Sequence, residues 1–275
     1  MLKDMTLGQF FPGNSILHRL DARMKFILTI LYIVAIFLAK NVFCYAALVV
    51  SALLLVLLSR LSFRVVLRSI KPIVMILLFT AAISIFFTKG EGEPLWSFWR
   101  IAIYKEGILR SVFMALRVIV LVVGTSVFLT YTTSPIVLTN AFESLLAPLK
   151  KIRVPVHDFA MILTIALRFI PTLVEETDKI IGAQKSRGAA FDSGSLLRRA
   201  KALVPVIIPL LVSSFNRADE LATAMECRCY RGDVGRTRFV KMRYHVRDFV
   251  ALFLFAAFLT LIVLGNLYLP IGFSV

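Results

Sequence analysis

The stretch VFCYAALVVSALLLVLLS, Val42 to Ser59, carries no charged side chain over its whole length. As a helix at 1.5 Å per residue it spans about 27 Å, close to the ~30 Å of hydrocarbon in a bilayer. Just before it lies FILTILYIVAIFLA, Phe26 to Ala39, with only Lys40 and Asn41 between the two runs. Those two residues are poor choices for a bilayer centre, so a tight helical hairpin is expected rather than one long bent helix. Further along come PIVMILLFTAAISIFF (Pro72 to Phe87), SVFMALRVIVLVVGTSVFLTY (Ser111 to Tyr131) and DFVALFLFAAFLTLIVLGNLYL (Asp248 to Leu269). The pattern predicts an all-α, polytopic integral membrane protein with about five transmembrane helices.

Composition agrees. Of 275 residues, 59% are hydrophobic and the mean hydropathy is +0.85, well above the roughly 45–50% apolar content of soluble domains. A net charge of +16 in a soluble chain would point to nucleic acid. Membrane proteins instead gather Lys and Arg on the cytoplasmic side, so the expected partner is the lipid bilayer and no nucleic acid. With the N-terminus inside, 26 of the 32 basic residues fall in cytoplasmic segments, which predicts N-terminus in and C-terminus out. The outer segment 88–110 carries Trp96, Trp99 and Tyr104, suited to the headgroup region. MLKDMTLGQFFPGNSILHRLDARMK lacks the apolar core and small-residue cleavage site of a secretory signal, so the first span is expected to insert as an anchor. Of the three cysteines, Cys44 falls in a span and Cys227 and Cys229 in a basic stretch, which gives neither a disulfide framework nor a metal site with enough ligands.

Three regions follow: N-terminal transmembrane helices over 1–131, a cytoplasmic helical module over 132–247, and a final transmembrane helix over 248–275. The middle region holds eighteen basic and ten acidic residues yet includes FAMILTIALRFIPTLV (Phe159 to Val174) and LVPVIIPLLV (Leu203 to Val212). Both are broken by proline and are expected to lie within a bundle or at the interface. They also echo each other. Ile170-Pro171-Thr-Leu-Val174 leads into EETDKIIGAQKSRG, and Ile208-Pro209-Leu-Leu-Val212 leads into SSFNRADELATAMECRCYRG. Pro171 and Pro209 are expected to break the chain into two amphipathic helices that end on Arg187 and Arg228.

In the second of these helices Phe215, Ala218, Leu221 or Ala222, and Met225 form an apolar stripe, with Arg217, Glu220 and Glu226 opposite. In the first, Glu175, Glu176 and Asp178 stand early and Lys185 and Arg187 late, the order that complements a helix dipole. Gly188 suits the position after the helix end. An arginine at such an end is either a favourable terminal charge worth a few tenths of a kcal/mol or a rigid five-donor fork offered to a carboxylate or carbonyl of another protein. Its occurrence on both echoing helices, between small neighbours in Ser186-Arg187-Gly188 and Cys227-Arg228-Cys229, favours the second reading.

These residues resemble the transmembrane T component of energy-coupling factor transporters, a group that includes the membrane subunit of cobalt uptake systems. The likeness covers most of the chain. Ser15-Ile-Leu-His18-Arg-Leu-Asp21-Ala-Arg23-Met-Lys25 is similar to the family's S-x-L-H-x-L-D-P-R-x-K segment, with Ala22 in place of proline. Thr132-Thr-Ser-Pro135, Leu145-Leu-Ala-Pro148-Leu and Leu167-Arg168-Phe-Ile-Pro171 resemble later segments. In that family two coupling helices end in Ala-Arg-Gly signatures that dock onto two ATPase subunits. Ser186, Arg187 and Gly188 match the first, with Ser for Ala. Of the second only Arg228 is kept, between Cys227 and Cys229, and Gly232 is the expected helix stop.

The resemblance implies a non-catalytic coupling subunit of an ATP-driven uptake transporter, with two ABC-type ATPases as a homo- or heterodimer and a substrate-binding membrane S component. It would bind no cofactor, since ATP and Mg would sit on the partners, and the setting would be a bacterial or archaeal cell membrane. The substrate would be a vitamin or other micronutrient; the alternative is a cobalt- or nickel-type permease subunit. No Gly-rich phosphate loop or nucleophile motif appears. A secondary transporter would call for paired broken helices around a midplane site, whereas the main intramembrane charge is Arg117, expected to snorkel or to pair near the interface.

Overall fold

The computed structural model describes residues 11–87, 96–98, 101–189, 191, 195–232 and 242–268. Its helices are α1 (Ala22–Leu38), α2 (Val42–Ser59), α3 (Phe63–Phe87), α4 (Lys105–Thr125), α5 (Pro135–Leu145), α6 (Val156–Ser186), α7 (Leu196–Cys227) and α8 (Val246–Tyr268). A π-helical segment, Ser126–Tyr131, continues α4, and a 3-10 turn, Ala147–Ile152, follows α5. Two three-residue strands, β1 (Trp96–Phe98) and β2 (Ile101–Ile103), pair antiparallel with Trp96 opposite Ile103. Trp99 and the side chain of Trp96 lie outside the described residues. Contacts divide the chain into two compact units, one from Gly8–Ser134 with Met242–Val275, the other built on Pro135–Lys241.

Among the described residues, six helices are long and apolar enough to cross a membrane: α2, α3, α4 with its π segment, α6, α7 and α8. The chain is a multi-pass membrane protein, and this count changes the expectation in two places. α1 is shorter, at 17 residues. α6 and α7, read from sequence as proline-broken pieces, are continuous helices of 31 and 32 residues with Pro171, Pro205 and Pro209 inside them. α3 likewise starts nine residues before Pro72 and runs through it. Proline removes one backbone donor and crowds the carbonyl four residues back, which bends or weakens a helix without ending it when packing on either side is retained.

In the first unit the apolar core gathers on α1, α2, the π segment and α8. Tyr32, Phe128 and Phe255 form a triangle of rings with centroids 5.5 to 6.1 Å apart. α4 comes so near α1 that a Cβ at Gly124 would lie 2.0 Å from Cε1 of Tyr32. The break at Lys40 and Asn41 is the expected hairpin, with the Tyr32 hydroxyl 3.3 Å from Ser51 Oγ across it. Asn266 of α8 serves the groups that the break exposes, donating to the Leu38 carbonyl at 2.6 Å and accepting from Lys40 N at 3.2 Å. Asn41 donates to the Gly265 carbonyl at 3.2 Å. Arg117 pairs inside this region rather than reaching outward: one nitrogen donates to the Ala39 carbonyl at 3.1 Å and to the Tyr45 hydroxyl.

A second polar cluster ties the other end of this unit. Asp21 caps α1 by accepting from Arg23 N at 2.9 Å. The Asp248 carboxylate, 1% exposed, accepts from Asp21 N at 2.9 Å and from His245 N at 2.8 Å, so one side chain serves the starts of two helices distant in sequence. Lys25, also buried, donates to the Thr132 carbonyl at 2.8 Å and to Thr133 Oγ1 at 3.3 Å, within electrostatic reach of Asp21 and Asp248. Arg23 lies over the Tyr244 ring at 4.2 Å. His18 bridges Ser15 Oγ at 2.6 Å and the Phe11 carbonyl at 2.9 Å, and Phe11 N donates to Tyr131 O. The Ser15-to-Lys25 segment singled out from the sequence is thus a structural tie among α1, the π segment and α8.

Asp248→Ala should cost about 2–4 kcal/mol, because it leaves two buried backbone donors unpaired and removes one of the two carboxylates near Lys25. Thermal unfolding in detergent would show a clear fall in midpoint, and an unchanged midpoint would contradict this role. Gly124→Val should also lower the midpoint, by driving a side chain into the Tyr32 ring.

Candidate functional site

The ends of α6 and α7 match atom for atom in their hydrogen bonding. After α6, Gly188 N donates to Lys185 O at 3.0 Å and Ala189 N to Gln184 O at 3.0 Å; after α7, Cys229 N donates to Glu226 O at 2.8 Å and Tyr230 N to Met225 O at 3.0 Å. These are the 5→2 and 6→1 bonds of a Schellman ending, and Arg187 and Arg228 occupy the same cap position in each. The left-handed residue that follows is Gly188 at φ +86° and Cys229 at φ +55°. Gly232, the stop expected from sequence, also has positive φ, but α7 has already ended at Cys227. Cys229 takes the glycine position itself, because the two carbonyl-satisfying bonds offset the left-handed cost of roughly 1–2 kcal/mol for a residue with a Cβ.

Contacts between the two helices fix their direction. Glu176 of α6 accepts from Ser213 Oγ and, at 2.7 Å, from an Arg217 guanidinium nitrogen of α7. Gln184, further along α6, donates to Pro205 O at 3.4 Å, which lies earlier in α7. The helices therefore run antiparallel. The Pro205 carbonyl is the one that Pro209 deprives of its helical donor, and Gln184 supplies a substitute. Arg187 lies eleven residues beyond Glu176, and Arg228 eleven beyond Arg217. The two arginines thus project in opposite directions, each about 16 Å from the pair at 1.5 Å per residue.

Several expectations change with this packing. The apolar stripe on α7 is differently phased: Phe215 is 64% exposed, Ala218 is exposed, and Arg217 shares the half-covered side with Leu221 and Met225. Arg217 had been placed on the face opposite the stripe, yet its charge is matched by Glu176 across the helix pair. Glu175, Glu176 and Asp178 are not at a helix start, because α6 begins at Val156; the dipole argument holds only for Lys185 in the last turn. Pro171 and Pro209 are internal to their helices, as described above, and so do not mark helix breaks. Ser186, Arg187, Gly188, Cys227, Arg228 and Cys229 are all exposed. Both cysteines carry free thiols, and Ser186 Oγ bonds back to Gly182 O at 3.2 Å. The structure thus gathers each triplet at a helix tip and keeps the two triplets apart.

Sequence reading did not find the Glu176–Ser213–Arg217 contact. Its signal was present in the equal spacing of Glu176 to Arg187 and Arg217 to Arg228. Nor did it find the His157 to Glu143 pair, 3.0 Å apart between α6 and α5. That pair lines a cavity of about 700 Å³ that also borders Arg168, Arg228, Tyr230 and Arg231.

Replacing Cys229 with Gly should stabilise the α7 ending by about 1 kcal/mol, since the left-handed position favours a residue without a Cβ. Hydrogen exchange at the Cys229 and Tyr230 amides should slow, whereas Gly188→Ala should speed exchange at the α6 ending. Equal exchange in all three proteins would contradict this account of the caps.

Comparison with known proteins places the chain in a family. A family model described as "Cobalt transport protein" matches residues 13–239. The chain is 49% identical over 251 residues to the energy-coupling factor transporter transmembrane protein of Clostridium kluyveri, covering 91% of this chain and 93% of that one. The corresponding protein of Acidaminococcus fermentans is 51% identical over 265 residues, covering 94% and 98%. That of Bacillus subtilis is 44% identical over 262 residues, again covering 94% and 98%. With most of its length matched both by the family model and by these relatives, the chain belongs to the cobalt transport protein family that contains the transmembrane proteins of energy-coupling factor transporters.

Proposed function

We propose that this chain is the transmembrane coupling subunit of an ATP-driven uptake transporter of the energy-coupling factor type. The observation that carries the reading is the pair of identical arginine-capped endings facing opposite ways from a fixed antiparallel contact. Two ATPase subunits related by a twofold axis offer two equivalent grooves. One helix pair with two outward tips gives one arginine to each.

ATP and Mg are held by those partners, and this chain does no chemistry on them. Its own residues do mechanical work. Arg187 and Arg228 each offer a planar fork to a carboxylate or carbonyl, and the Schellman endings hold those forks at the ends of rigid helices. Glu176, Ser213 and Arg217 keep the helices in register, so closure of the ATPases tilts the pair as a lever. A separate substrate-binding membrane subunit receives that motion. Exposed apolar residues at four-residue spacing on α7, among them Ile207, Leu211 and Phe215, provide a surface for a partner within or against the bilayer.

The basic middle segment is assigned to the cytoplasm with the N-terminus, and the C-terminus to the outside, on the distribution of Lys and Arg. Although α6 and α7 are long and apolar enough to span, each carries charge in its middle, as at Arg168, Glu176 and Arg217, which favours a position beneath the membrane. The vitamin reading and the cobalt or nickel reading share this mechanism, because substrate choice belongs to the separate subunit.

Arg187→Glu combined with Arg228→Glu should abolish ATPase retention and substrate uptake while leaving membrane insertion intact. Pull-down from solubilised membranes and an uptake assay measure both, and a double variant that still retained its ATPases and supported uptake would refute the coupling role. Glu176→Ala should lower uptake severalfold with the ATPases still bound, because the tips remain but their register is loosened.

A further inference from the structure

The two tips share a cap, and one of them borders a cavity. At the α6 tip, Ser186, Arg187 and Gly188 are exposed. The α7 tip forms one wall of the open cavity of about 700 Å³ lined by α5, the first half of α6, the end of α7 and the turn after it. Met161, Phe169 and Met225 supply its apolar lining, and Arg168, Arg228 and Arg231 border it with three exposed guanidinium groups. None of the three has an ion pair among the described residues. Glu143, the one carboxylate among the described lining residues, already faces His157 at 3.0 Å. Among the described residues the cavity therefore combines apolar patches with three arginines that no carboxylate pairs, the complement of an acidic segment flanked by apolar side chains.

We propose that this cavity is a receptor for such an acidic segment on the ATPase that docks at the α7 end, with Arg168 and Arg231 as specificity-determining residues beside Arg228. The proposal rests on the coupling reading above and extends it, since it adds residues outside the two arginine triplets.

The test uses the complete transporter, co-expressed with its ATPases and substrate-binding subunit and purified in lipid nanodiscs. Arg168→Glu and Arg231→Glu should each weaken ATPase retention about tenfold and make it more salt-sensitive, with the substrate-binding subunit still bound. Arg168→Lys should restore most of the retention, which a variant that misfolded would not. If both glutamate variants hold the ATPases unchanged while the Arg187→Glu, Arg228→Glu double variant releases them, the cavity proposal is overturned and the coupling reading stands. If neither set releases them, both fall. If the glutamate variants lose bound anionic phospholipid and keep the ATPases, the cavity is a lipid site and the proposal is overturned.

Discussion

Glu176 lies well inside α6 and accepts from two groups of α7, the Ser213 hydroxyl and the Arg217 guanidinium. The pair is only partly buried, at 21% and 35% side-chain exposure, so its direct contribution to stability is small, of order 1 kcal/mol or less. Its value lies in register. A slip of one helical turn between α6 and α7 would move each arginine by about 5.4 Å relative to the other helix, more than a bidentate contact tolerates. Gln184 adds a second fixed point at the Pro205 carbonyl. Two polar contacts spaced along the interface set both the direction and the phase of the pair. The proposed lever works only if both are set.

The unit that contains α1 to α4 and α8 uses polar groups differently. Its middle is held by apolar contact, with the Tyr32, Phe128 and Phe255 rings and the close approach at Gly124, while buried hydrogen bonds collect toward the helix ends. At one end Asn266 serves the break between α1 and α2. At the other, Asp248 and Lys25 join helix starts and the π segment. In hydrocarbon every backbone donor and acceptor must be satisfied within the protein. Side chains that complete several helix ends at once meet that requirement with few charges.

Much of this was legible in the sequence. The uncharged run from Val42 to Ser59 is one helix as read, the hairpin at Lys40 and Asn41 follows from their polarity, and both arginine triplets are helix endings. What sequence could not give was tertiary. The prolines read as breaks because each removes a helix bond, but whether a neighbour repairs the loss depends on a residue such as Gln184, twenty-one positions from the carbonyl it serves. Arg217 was assigned to the outer face because the stripe was phased on Phe215 and Ala218 together with Leu221 or Ala222 and Met225, and a helix face is fixed only when its partner is known. Asp248 looked like the polar edge of a span. Its role depends on Asp21, 227 residues away. Cys229 shows the same limit on a small scale: a missing glycine suggested a displaced stop, whereas the hydrogen-bond pattern keeps the stop in place and the cysteine adopts the left-handed conformation.

The central claim is that the two arginine tips meet two different ATPase subunits at once. Photo-cross-linking groups placed singly at Ser186 and Cys227, the residues immediately before Arg187 and Arg228, test it in the assembled transporter. The account predicts that each position cross-links to an ATPase, and that a protein carrying both groups joins two ATPase subunits to one copy of this chain. Cross-linking of both positions only to lipid, or only to the substrate-binding subunit, would contradict it.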